Sequence, residues 1–174
     1  MLTTDQKGAI AEPAIVLAAI KLGIDVYGPR SDGGRYDLIF DLPSGLARIQ
    51  CKWANRYGDT VIIRTKSCRR TRAGLLIRTY TADEVDFIAA YEVTMDRAFL
   101  LPPRIFAGRA SLQLRLAPAR NNQRVGINWA DDYDLAARLC RDPGAIAQLG
   151  ERLAGSQKVA GSSPAGSTPT RPCA

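Results

Sequence analysis

The sequence predicts a mixed α/β fold, an α+β mixed sheet with flanking helices, and three stretches predict it. Residues 3–22 carry apolar side chains at helical spacing, residues 35–53 alternate as two strands about a turn, and residues 59–65 and 86–101 are rich in β-branched and aromatic side chains. At 174 residues the chain is long enough for one domain with a real core and an attachment.

The first helix has a cap in Thr3 or Thr4, an acid in Asp5 for its first turn, and Ile10, Ala14, Leu17, Ala18 and Lys21 at helical spacing before Gly23 ends it. Pro13 lies in its interior, where proline removes a hydrogen bond and kinks the helix. Ile24 to Tyr27 is short and β-like. Gly28 to Gly34 is a turn-rich connection in which Asp32 is either a turn residue or a metal contact.

The central hairpin follows. Tyr36, Leu38 and Phe40 alternate with Asp37, Ile39 and Asp41; Pro43, Ser44 and Gly45 supply the turn; and Leu46 to Trp53 alternates again. Asp41 reads as a solvated strand end. Arg48 reads either as a phosphate contact or as a screened surface charge.

Asp59 to Thr65 is a further strand, and its run Val61-Ile62-Ile63 is what a strand buried on both faces shows. After it come Arg64, Lys66, Arg69, Arg70 and Arg72, with Thr65, Ser67 and Thr71 as hydroxyl donors between them. This run reads as a phosphate-gripping loop, which positions nucleic acid without reading it. Residues 86–93 and 97–101 form a second hairpin, Pro102-Pro103 ends it, and 111–116 alternates as an edge strand. The polar loop 118–126 carries Arg120, Asn121, Asn122, Gln123 and Arg124, side-chain types able to bond base edges bidentately. Trp129 to Leu139 reads as a closing helix with Trp129 and Tyr133 on one face.

The composition excludes several classes. Lys and Arg exceed Asp and Glu by 24 to 17, so a polyanionic partner is favoured. The absence of histidine removes Ser-His and Cys-His catalysts, and four cysteines without Cys-x-x-Cys spacing make no zinc site. The chain shows neither a membrane-length apolar stretch nor a signal peptide. The expectation is an intracellular, cytoplasmic protein that associates with the nucleoid when it is on DNA.

Side chains two apart share a strand face, so Gln50 and Lys52 point the same way, and the hairpin brings Asp37 beside them. An acid, an amide oxygen and an ammonium then meet, which suits a hard divalent cation and a polarised water for phosphodiester cleavage. Asp37 followed by Gln50-Cys51-Lys52 resembles the PD-(D/E)XK nuclease core, with glutamine in place of the second acid. More narrowly, the chain resembles the group I intron homing endonucleases of that restriction-endonuclease-like fold. The likeness runs from Lys7-Gly8 and Ala11-Glu12 through Arg35-Tyr36-Asp37-Leu38 and Val85-Asp86 to Asn121-Asn122-Gln123 and Trp129-Ala130-Asp131-Asp132-Tyr133. Arg78, Tyr80 and Thr81 also match family positions.

The resemblance implies a four- or five-stranded sheet with Asp37, Gln50 and Lys52 at its centre and Glu12 facing them from the first helix. Asp37 and Glu12 would hold Mg²⁺ or Mn²⁺, with the Cys51 main-chain carbonyl a further ligand. Gln50 would be a neutral ligand or water orienter, and Lys52 would position or deprotonate the attacking water. The implied activity is site-specific cutting of double-stranded DNA by a homodimer or homotetramer. The alternatives are a Holliday-junction resolvase or restriction-type nuclease of the same fold, and a catalytically inactive DNA-binding protein.

The domain is expected to span 1–142. Residues 143–174 are expected to be a flexible tail, since their composition cannot bury enough to order itself. Back-translated, residues 144–168 are compatible with a transfer RNA gene read in the sense direction: Gly144-Ala145 as GGAGCC pairs with Gly166-Ser167 as GGCTCC. The tail is thus expected to derive from an adjacent tRNA gene, and genomic nucleotides lacking these pairings would refute it.

Overall fold

The computed structural model describes residues 1–31, 33–72, 74–118 and 125–141. It opens with α1 (Thr4–Lys21), capped as a box: the Thr3 hydroxyl accepts from the Gln6 N–H at 3.2 Å and the Gln6 side chain accepts from the Thr3 N–H at 2.9 Å. The helix runs unbroken through Pro13, which is exposed, as is Ala9, whose carbonyl receives no N–H from the proline. Gly23, at φ 76°, takes the left-handed conformation that turns the chain out of the helix.

The strands are β1 (Asp25–Tyr27), β2 (Leu38–Leu42), β3 (Gly45–Tyr57), β4 (Thr60–Arg64), β5 (Lys66–Thr71), β6 (Gly74–Thr79), β7 (Phe87–Glu92), β8 (Arg97–Leu101) and β9 (Ser111–Arg115). A short α2 (Pro103–Phe106), a 3-10 turn at Ala130–Tyr133 and α3 (Leu135–Arg141) complete the described chain.

The 13-residue β3 is the axis of the sheet. Its first part pairs antiparallel with β2, its middle pairs parallel with β7 from Ile49↔Phe87 to Trp53↔Tyr91, and its last part pairs antiparallel with β4. With β1, β8 and β9 added, the sheet has seven strands among the described residues, not the four or five expected. The difference arises because β3 runs on to Tyr57, so the same sheet takes in β4 and, through it, β9.

Each face carries its own core. On one, Ala11, Ile15 and Ala19 of α1 pack on Leu38, Phe40, Ala47, Ile49 and Cys51, with Leu135 of α3. On the other, Ile88, Ala90, Phe99 and Leu101 meet Phe106, Leu112, Leu114 and Tyr133. Phe40, Ile49, Ile88 and Phe99 have no exposed surface, and each such burial contributes about 1.5–3 kcal/mol.

Three further expectations need correction. In β4 only Val61 and Ile63 are buried and Ile62 is half-buried, so that strand is covered on one face. The basic run is not a loop: it forms β5 of an antiparallel ribbon with β6, registered from Lys66↔Thr79 to Thr71↔Gly74. The closing segment is not one helix either. Asp134 is extended and bridges to Phe99, and its carboxylate accepts from Arg97, which separates the 3-10 turn from α3 and leaves Trp129 outside both.

Candidate active site

The β2–β3 register fixes the centre of the site. Leu38 faces Ile49, and the Asp37 N–H donates to the Ile49 carbonyl at 2.9 Å, so Asp37 stands across from Gln50 at the mouth of the hairpin. Ile49 and Cys51 turn into the α1 core, which commits Gln50 and Lys52 to the other face. One Asp37 carboxylate oxygen accepts from the Gln50 side-chain N–H and from the Cys51 main-chain N–H, the latter at 2.8 Å. The Gln50 amide nitrogen also reaches the Cys51 carbonyl at 3.3 Å.

Lys52 does not lie free on its face. Its ammonium donates to the Tyr80 hydroxyl at 2.9 Å, and Tyr80 is only 2% exposed.

Glu12 comes from α1. It lines, with Tyr36, Asp37, Gly28, Gly33 and Gly34, a cleft of about 190 Å³. Burial and then the neighbouring Asp37 charge hold the Glu12 carboxyl above its ordinary range. Asp37 is raised too, by burial, against the lowering pull of the Cys51 N–H, Lys52 and Gln50. Burial disfavours the charged form of both carboxyls, the Asp37 charge adds to this at Glu12, and oxygen donors of this kind fit a hard divalent cation. The Cys51 thiol is pushed up by burial and faces the core, so that residue enters the site through its main-chain N–H and carbonyl.

A carboxyl with a raised folded-state pKa stabilises the fold fully below its ordinary range, and that contribution disappears as pH rises through the raised value. Metal-free Asp37→Asn is therefore expected to melt above the wild type at neutral pH. The difference should shrink toward zero as pH falls below about 3.5, where Asp37 is protonated in both the folded and the unfolded wild type. Thermal melts between these pH values check it; a variant less stable at neutral pH would contradict a burial cost for the Asp37 charge.

The expected hydroxyl donors to phosphate have other partners. Thr65 donates to the Arg109 carbonyl at 2.6 Å, Thr71 to the Gly74 carbonyl at 2.9 Å, and Ser67 to the Arg78 carbonyl at 3.3 Å while accepting from Arg35. Arg64 and Arg72 are exposed, and Lys66 is half-buried at the ribbon's root. Arg69 and Arg70 lie on β5 opposite Leu76 and Leu75. Arg120, Asn122, Gln123 and Arg124, like Asp32 and the tail 143–174, lie outside the described residues.

Arg48 is not a loose surface charge. Its main-chain N–H and its guanidinium together hold the buried Asp86 carboxylate at 2.8, 3.0 and 3.1 Å, and its remaining nitrogen donates to the Asp83 carbonyl. Arg35, which the sequence marks only as part of a pattern, ties the ribbon to the site. It donates to the Ser67 hydroxyl, the Thr79 carbonyl and Glu84, each at 2.8 Å, and its guanidinium lies 4.3 Å from the centre of the Tyr80 ring. The hydrogen bond from Arg35 is the main reason the Glu84 carboxyl is lowered. The sequence signals for these residues were Arg35-Tyr36-Asp37, Tyr80 and Val85-Asp86.

A family model described as PD-(D/E)XK endonuclease matches residues 2–136. The chain belongs to the PD-(D/E)XK endonuclease family. A solved structure of a bacterial homing endonuclease, I-Ssp6803I, superposes with a TM-score of 0.62 at 23% identity, covering 90% of this chain and 99% of that one. No curated protein sequence matches. The fold is thus that of a PD-(D/E)XK endonuclease, a family that acts on DNA and generally uses divalent metals.

Proposed function

We propose that this chain is a divalent-metal-dependent, site-specific DNA endonuclease of the homing type, and that residues 1–142 form its working domain. The observation that carries the reading is the meeting of Glu12 and Asp37 in one cleft, with Gln50 bonded to Asp37 and Lys52 beside them on the same strand face. Asp37, Glu12 and the Cys51 carbonyl would hold Mg²⁺ or Mn²⁺, which supplies Lewis-acid polarisation of the phosphate when bound. Gln50 keeps Asp37 aimed and offers its amide oxygen as a neutral group to orient water. Lys52 places its ammonium where negative charge grows on the phosphoryl oxygens, or, as the neutral amine, takes the proton of the attacking water.

One such site cuts one strand. A double-strand break at a partly palindromic target therefore calls for a homodimer or homotetramer. No described helix is long and apolar enough to cross a membrane; we place the protein in the cytoplasm, on the nucleoid when bound.

A second reading, a DNA-binding protein that no longer cuts, is favoured by one observation. Among the described residues no group of three or more His, Cys, Asp or Glu side chains is placed to hold a metal, because Gln50 stands where an acid would complete the set. Incubation of supercoiled plasmid carrying the host locus with Mg²⁺, Mn²⁺ or EDTA separates the two. Metal-dependent nicking or linearisation supports the endonuclease, and intact plasmid under all three conditions defeats it. Linear and four-way-branched DNA compared in the same assay distinguish a homing enzyme from a junction resolvase.

The ribbon is assigned to DNA. Its basic residues Lys66, Arg69, Arg70 and Arg72 should act through phosphate charge, whereas at least one of Arg120, Asn121, Asn122, Gln123 and Arg124 should read a base edge. Neutralising Arg69, Arg70 and Arg72 together is expected to weaken binding to target and scrambled duplex alike. It should also flatten the logarithmic salt dependence, by about 0.9 in slope for each phosphate that is no longer neutralised. Titrations across a salt series check it, and weaker sequence discrimination with an unchanged slope would reverse the assignment.

A further inference from the structure

From the hydrogen bond between the lysine and the buried tyrosine, we infer that Tyr80 is a positioning residue for Lys52. The inference rests on the endonuclease reading, since it concerns how that site holds its ammonium. Lysine ends a flexible four-carbon stem and is a poor choice for precise placement unless something holds its head. Here the head donates to the Tyr80 hydroxyl at 2.9 Å and lies 4.9 Å from the ring centre.

Tyr80 is itself held on several sides. Its side chain belongs to the core under the sheet, with Val85, Ile88 and Phe106. Its carbonyl accepts from the Gly108 N–H at 3.4 Å. The Arg35 guanidinium lies 4.3 Å from the ring centre while donating to the Thr79 carbonyl one residue before it. A phenol buried to this degree normally requires a hydrogen-bond partner, and the partner it has is the lysine ammonium. Among the described residues, the hydroxyl can therefore be removed without breaking a second hydrogen bond of that side chain.

Tyr80→Phe deletes only that oxygen and keeps the ring under Arg35. The expected result is a fall of about 100-fold in the single-turnover cutting rate at saturating DNA and metal, the scale of a misplaced catalytic group. DNA affinity and melting temperature should stay at their wild-type values. An unchanged rate overturns the proposal, and so does a rate that falls only in proportion to DNA binding or stability.

Relaxation of the Lys52 side-chain ¹⁵N signal, assigned by its absence in Lys52→Arg, gives a second readout. It should report a restrained ammonium in the wild type, and a mobile one in Tyr80→Phe. A wild-type signal as mobile as those of the exposed lysines overturns the proposal even if the tyrosine variant fails to fold. If the wild type cuts no DNA with either metal, the endonuclease reading fails instead, and the ¹⁵N measurement still decides whether Tyr80 holds Lys52.

Discussion

Asp37→Asn and Lys52→Ala are each expected to lower strand cutting on the order of 10³-fold or more, the scale of losing an acid–base or charge-stabilising group, while target binding survives. Asp37 is the point on which the site converges: it accepts from Gln50 and from the Cys51 N–H, and its charge is felt by Glu12. Asparagine keeps the size and one acceptor oxygen but removes the charge that a divalent cation needs, so folding and DNA binding should persist. Among the described residues Lys52 has no neighbour placed to take over its role, since Arg48 is committed to Asp86 and Arg35 to Glu84, Thr79 and Ser67. Gln50→Glu, by contrast, restores an acidic ligand at the cost of a third carboxylate in a crowded cleft, and is expected to retain cutting. Single-turnover cleavage and filter binding on one target check all three; cutting near the wild-type rate by Asp37→Asn or Lys52→Ala would remove those residues from the chemistry.

Arg48→Ala is expected to cost about 3 kcal/mol of stability, the largest effect foreseen for any exposed or half-exposed side chain. Asp86 is 7% exposed, and removing the guanidinium leaves its carboxylate, among the described residues, with the main-chain N–H of residue 48. The pair also sets the approach to β7, because the Asp86 N–H donates to the Arg48 carbonyl at 2.9 Å just before Phe87 enters the sheet. A urea titration reads the change as a shifted midpoint at constant slope. A cost below about 1 kcal/mol would mean that water replaces the guanidinium and that the pair is an ordinary surface bridge.

The central hairpin was legible because its alternation is strict and its turn is marked by Pro43, Ser44 and Gly45. Parity alone then put Gln50 and Lys52 on one face and Asp37 across from them, as the register Leu38↔Ile49 has it. The ribbon was hidden for the opposite reason. Leu75, Leu76 and Ile77 are all about half exposed or more, so β6 owes its strand character to cross-strand pairing and shows no burial alternation that would make a strand visible. Ile62 misled because three consecutive apolar residues do not reveal whether a second layer covers them. Arg48, Arg35 and Tyr80 act through partners more than 25 residues away in the chain, such as Asp86, Glu84 and Lys52, a separation at which no local pattern carries a signal.

The parallel seam between β3 and β7 also sets an order on events during synthesis. Glu12, Asp37, Gln50 and Lys52 are all translated before residue 53, yet the strand that locks the last two in place begins at Phe87 and ends its pairing with β3 at Tyr91. Closing so long a loop is slow compared with forming a helix or a hairpin, and it cannot begin until its far end has left the ribosome. The nascent chain therefore carries every proposed catalytic group for some time without the scaffold that aims them, and the competence to cut arrives late, together with the buried half of the sheet.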